Sequence, residues 1–104
     1  MSMLFQVTMF PTDNRTPSAS ADVAKVIDLI DRSGLSYKLT AMATVIEGEW
    51  EPVMRVLNRA RLLLRRSHSR VYIIITIDDR KGAKNRLTGK IQSIERRLRR
   101  EVRK

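Results

Sequence analysis

A chain of 104 residues is one domain, long enough to bury a core yet short enough that self-association would help it. It has no cysteine and a single histidine, His68, which excludes a disulfide framework, a thiolate metal centre and the clustered imidazoles of a typical zinc site. The net charge of +10 is unevenly placed: residues 1–52 carry four basic and seven acidic side chains (−3), residues 53–104 seventeen basic and four acidic (+13).

Residues 3–10 read as a first strand, with Met3, Phe5, Val7 and Met9 on one face and Leu4, Gln6, Thr8 and Phe10 on the other. This apolar run lacks a basic leader, and no stretch approaches the ~18 apolar residues of a membrane span. A soluble, cytoplasmic protein is the expectation. Pro11 ends the strand, and a polar, flexible loop follows to Pro17. Ser18 or Ser20 then caps a helix whose Val23, Val26, Ile27 and Ile30 make one apolar stripe, with Gly34 as its C′ residue.

Residues 35–41 predict a second strand, with Tyr37, Leu39 and Ala41 on one face. Residues 43–47 follow closely enough to pair with it as a hairpin. Pro52, preceded by Glu51, opens a second helix with Val53, Met54, Leu57, Ala60 and Leu64 inward and arginines over much of the rest. After a turn at 67–70, residues 71–77 are β-branched almost throughout and apolar on both faces. A charged loop at 78–84 leads to a last, basic helix, capped by Asn85 and running from about Leu87 to the C-terminus. Its stripe of Leu87, Ile91, Ile94, Leu98 and Val102 is narrow enough to suit a neighbouring subunit.

The order β-α-β-β-α-β plus a C-terminal helix fits an α+β, ferredoxin-like sandwich, with two helices on one face of a four-stranded antiparallel sheet. The other face would carry Leu4, Phe10, Tyr72 and Ile74 among Gln6, Thr8, Thr40, Thr44, Thr76 and Asp78. Such a part-apolar face calls for a second subunit.

The segment from Thr44 to Trp50, TVIEGEW, gathers a hydroxyl, two carboxylates and the sole Trp where the backbone changes direction. Polar and aromatic groups at a strand end are a common way to build a small-molecule site. Glu47 and Asp78 each end a strand suited to burial, so each needs a partner, for which Arg80 and Lys38 are candidates. A structural ion pair is the plain reading. The functional one is a site for a cation or protonated heterocycle, with Trp50 or Tyr37 as an aromatic wall. A hard divalent ion at Asp78, Asp79 and Glu47, serving a metal-dependent enzyme, ranks lower because Arg80 and Lys81 adjoin the acids. Residues 67–69, Ser-His-Ser, have no neighbouring carboxylate in sequence to orient the imidazole. Dinucleotide and phosphate-loop motifs are missing, so binding is favoured over catalysis and no cofactor is expected.

Three segments together resemble the small thiamine-binding protein family (YkoF-like): SGLSYKLTAMATVIEGEW at 33–50, VMRV at 53–56 and TIDDR at 76–80. The likeness runs over about residues 3–95. It implies a homodimer or homotetramer of ferredoxin-like units that binds thiamine or its hydroxymethylpyrimidine part without catalysis. The positions that match are Thr44, Glu47, Gly48 and Asp78, with Thr8, Met42 and Trp50 as neighbours. A thiazolium cation favours carboxylates and an aromatic face, and an aminopyrimidine needs an acceptor for its amine. Glu47 would anchor the amine or ring nitrogen, Thr44 would bond beside it, and Asp78 would balance the charge. Two features depart from the family pattern: Ala41-Met42-Ala43 stands where Pro-Met-Gly is expected, and the loop at 12–17 has no glycine. The alternative is a basic module that docks its Arg-rich half on RNA or an acidic protein.

Overall fold

The computed structural model describes residues 3–12, 20–82 and 86–103, with the side chains of 20, 86 and 88–90 excepted. Its elements are β1 (Met3–Pro11), α1 (Ser20–Arg32), β2 (Ser36–Leu39), β3 (Thr44–Gly48), α2 (Trp50–Arg65), β4 (Val71–Asp78) and α3 (Arg86–Leu98). The four strands form one antiparallel sheet in the order β2-β3-β1-β4. This is the expected ferredoxin-like arrangement.

Alternation along β1 builds the core. Phe5, Val7 and Met9 are buried against α1 and α2, together with Ile46 of β3. From α1 come Val26 and Ile30, one turn apart; from α2 come Val53, Val56, Leu57, Ala60 and Leu64. Val56 takes the inward place expected for Met54, which is only partly buried at the edge of the cluster. Pro52 is tolerated in the first turn of α2, where its missing N–H is one the helix cannot pair anyway. Gly34 adopts φ +80 just after α1, the left-handed C′ conformation expected of it.

The second strand is shorter than expected. It stops at Leu39, and residues 40–43 form a tight loop held by Thr40, whose amide donates to the Ala43 carbonyl at 2.9 Å. The Thr40 hydroxyl closes the same turn, donating to that carbonyl and accepting from the Ala43 amide. Thr40 therefore belongs to a loop rather than to the open sheet face.

Thr44 requires a second correction. It stands opposite Val7 in the β1–β3 ladder, and directly paired residues share a face. Thr44 points to the helix side with Val7 and Ile46, not to the open side with Thr8 and Thr76.

The open face is also less bare than two layers would leave it. The first turn of α3 returns to its own sheet: the Leu87 amide donates to Glu47 Oε1 at 3.4 Å, and α3 packs along β3. That face still exposes Tyr72 and Ile74 of β4, and the Phe10 and Tyr72 rings lie 5.7 Å apart on it. The last helix ends at Leu98 rather than at the terminus, because Arg99 turns left-handed at φ 57. Val102 thus lies beyond the helix, where its amide donates to Glu95 Oε2. The expected caps at Ser18 and Asn85, the cap role of the Ser20 side chain and most of the 12–17 loop fall outside the described residues.

Candidate functional site

The seven residues singled out by sequence fall into three places. Thr8, Met42 and Thr44 line one cavity of about 200 Å³ at the hairpin end of the sheet. Its walls are Val7 and Met9 of β1, Val23, Val26, Ile27 and Ile30 of α1, and the loop at 40–43. Glu47 and Asp78 lie near the other end on the open face, each directly opposite Leu4 from its own side. Gly48 and Trp50 belong to the strand-to-helix junction on the helix side.

Within the cavity, Thr44 is distinctive. It is 7% exposed and is the one buried polar side chain among the described residues. Its hydroxyl makes no hydrogen bond among the described residues, while no fully enclosed side-chain oxygen or nitrogen there lacks a partner. Thr44 is one of the residues that line the cavity. A buried hydroxyl that can both donate and accept, set in an apolar wall, is an anchor for a small polar heterocycle. Met42 stands at the mouth, 85% exposed, and its carbonyl accepts a hydrogen bond from the Thr8 hydroxyl at 3.4 Å.

A shallower groove adjoins the cavity along α1 and β2, sharing Val23, Ile27 and Leu39 with it and adding Asp28, Asp31 and Tyr37. Asp28 pairs with Arg32 at 3.1 Å, and Tyr37 donates to Asp31 at 3.0 Å. That hydrogen bond, with desolvation and the carboxylate charge adding, raises the Tyr37 pKa above its ordinary value. Tyr37 faces the helix side, so it forms no wall beside Glu47.

At the junction, Gly48 is a packing residue. A Cβ there would sit 2.9 Å from Val53 Cγ2 and 3.3 Å from Leu35 Cδ2. Trp50 stacks obliquely on Phe5, with centroids 6.2 Å apart, and half of it is in solvent. It is on the opposite side of the sheet from Glu47 and Asp78.

The contribution of α1 has no signal in the sequence, because Val23, Val26, Ile27 and Ile30 have the pattern of a plain core stripe. The parity of β3 does have one. Thr44 and Glu47 are three residues apart, so a strand must send them to opposite faces. A carboxylate does await His68, but 46 residues away: Asp22 Oδ1 lies 3.1 Å from His68 Nε2. Among the described residues, no three His, Cys, Asp or Glu side chains gather as metal ligands.

Comparison with known proteins joins this geometry to a lineage. A family described as "Thiamine-binding protein" matches residues 5–95, nearly the whole domain. The chain belongs to the thiamine-binding protein family. The UPF0045 protein YqgV of Bacillus subtilis is 36% identical over 97 residues, covering 88% of this chain and 93% of that one. The UPF0045 protein Mb1933 of Mycobacterium bovis is 38% identical over 77 residues, 73% of this chain and 76% of its own. Among solved structures, hypothetical protein MJ1052 of Methanocaldococcus jannaschii superimposes with a TM-score of 0.81 at 26% identity, over 89% of this chain and 95% of that one. A candidate thiamine biosynthesis/salvage protein of Thermotoga maritima gives 0.79 at 18% identity, over 90% and 99%, a likeness of fold. No helix among the described residues is long and apolar enough to cross a membrane.

Proposed function

We propose that this protein binds thiamine or its hydroxymethylpyrimidine moiety without transforming it, seating the pyrimidine in the cavity between α1 and the sheet. The observation that carries the reading is Thr44, a lining residue of this apolar cavity that is more than nine-tenths buried and whose hydroxyl makes no hydrogen bond among the described residues. The family membership supports the choice of ligand.

Size sharpens the pose. Pockets for drug-sized ligands run to roughly 300–1,000 Å³. A cavity of about 200 Å³ takes one ring, so the pyrimidine enters and the thiazolium stays outside, toward Asp28, Asp31 and Tyr37. In this reading Thr44 bonds a ring nitrogen or the exocyclic amine, and Thr8 fixes Met42 at the mouth. Glu47, on the other face, serves α3 through the Leu87 amide, and Asp78 lies with it outside the ligand set. The protein works as a cytoplasmic carrier, assembled as a dimer or tetramer. A second copy covers the open face at Tyr72 and Ile74, beside the uncharged run of residues 71–77 on an unpaired sheet edge.

Calorimetry with thiamine and with hydroxymethylpyrimidine tests the ligand; the absence of heat for both removes the reading. Thr44→Val keeps the shape and deletes the hydroxyl, and the loss of one hydrogen bond of about 0.5–1.5 kcal/mol weakens binding about 2- to 12-fold. Unchanged affinity in that variant would move the ligand out of this cavity.

A further inference from the structure

The outward face of α2 carries guanidinium groups that the fold leaves unused. At 3.6 residues per turn, Arg55, Arg59 and Arg66 fall within an arc of about 40° on the helix. Of the buried residues, Val53, Leu57 and Leu64 lie on the far side of the helix, with Ala60 and Val56 nearer its flank. All three arginines are exposed, and none makes an ion pair or side-chain hydrogen bond among the described residues. Glu51 stands one turn before Arg55, yet no ion pair joins them.

Arg32 of α1 contrasts with this row, since its guanidinium is matched to Asp28. Like charges one turn apart, as at Arg55 and Arg59, cost stability rather than add to it. Residues 50–70 contain six arginines and no lysine. Solvation alone has no need of that choice, whereas a planar guanidinium binds phosphate in a two-pronged way that an ammonium cannot.

We infer that the row of Arg55 and Arg59 on α2 and Arg66 at its C-cap is a docking surface for the phosphodiester backbone of nucleic acid, read without sequence preference. Arg55 and Arg66 are separated by about 16 Å along the helix at 1.5 Å per residue, a span of several phosphates. The row has no aromatic side chain on which a base could stack, and backbone contacts alone carry no sequence information. Its one apolar member, Leu62, is 48% exposed and lacks the aromatic company of a protein hot spot. The row faces away from the core and the ligand cavity, so this inference is independent of the thiamine reading.

The test is fluorescence anisotropy with two duplexes of unrelated sequence at roughly 50 and 200 mM salt, alongside poly-glutamate and anionic phosphatidylserine vesicles. Three neutralised phosphates give a log–log slope of about −2.7, a loss of about 40-fold across that range, equal for both duplexes. R55Q/R59Q/R66Q abolishes that salt-sensitive binding, while R55K/R59K/R66K retains most of the slope. Because the three side chains are exposed, the lysine variant keeps the wild-type melting temperature, and the glutamine variant, relieved of the like-charge pair, melts no lower. The inference is overturned if neither duplex binds at the lower salt, if the glutamine variant binds with an unchanged slope, or if poly-glutamate or the vesicles bind more tightly than the duplexes.

Discussion

His68 and Asp22, 46 residues apart in the chain, meet with Nε2 3.1 Å from Oδ1, their side chains only 13% and 15% exposed. The contact ties the first turn of α1 to the turn between α2 and β4. Removing either member deletes this mostly buried hydrogen bond, at a cost of about 0.5–1.5 kcal/mol. His68→Ala or Asp22→Ala should lower unfolding free energy by that amount in urea titrations. Asp28→Ala, which breaks the exposed Arg32 pair, should cost no more than about 0.5 kcal/mol. Equal losses at the two sites would contradict the assigned burial.

Gly48→Ala should destabilise by about 1–3 kcal/mol through overpacking. The added methyl meets Val53 Cγ2 at 2.9 Å, and a fully buried β-branched residue in a helix has no other comfortable rotamer. Val53→Ala makes room for it. The double variant should therefore lose less than the sum of the two single losses, and strict additivity in a double-mutant cycle would show that the methyl is accommodated elsewhere.

The hydroxyl of Tyr37 sets a pH dependence at the alkaline end. Its pKa is raised from 10.0, first by the hydrogen bond to Asp31, so the fold favours the neutral phenol. That contribution is complete below about pH 10 and is lost as pH rises through the raised value. Tyrosinate absorbance should show Tyr37 ionising above 10.0, and Asp31→Asn should bring it back toward that value. Tyr37→Phe should remove the late phase altogether.

The open face should decide the oligomeric state. Ile74 is half exposed and lies outside the buried core, so Ile74→Glu leaves the fold intact while placing a charge in the proposed subunit contact. Sedimentation should find the wild type as a dimer or tetramer at micromolar concentration and the variant as a monomer. A monomeric wild type would remove the proposed contact.

Strand parity and helix stripes made the fold readable before any coordinates. Phe5, Val7 and Met9 alternate with Leu4, Gln6 and Thr8, while Val26 and Ile30 recur at helical spacing, and each pattern specifies one buried side. The cavity was half legible. Thr8, Met42 and Thr44 are all among the residues expected at the site, but a row of threonines suggests the open face for Thr44, whereas alternation with Ile46 puts it on the helix side. The α1 wall was invisible for another reason: Val23 and Ile27 have the same periodicity whether a stripe packs fully or leaves a gap beside it. The Asp22–His68 pair could not be read from sequence because nothing local relates residues so far apart.

The ladder of β1 also shapes how the protein is made. The described residues that line the cavity lie between positions 7 and 44, so they leave the ribosome ahead of α2 and β4. Yet β1 is an inner strand, and one of its two partners, β4, is the last to be synthesised. A nascent chain that already has these cavity-lining residues therefore still shows one bare edge of β1, open to pairing with a neighbouring nascent chain, until Asp78 emerges. The cavity-bearing half of the sheet is written first and sealed last.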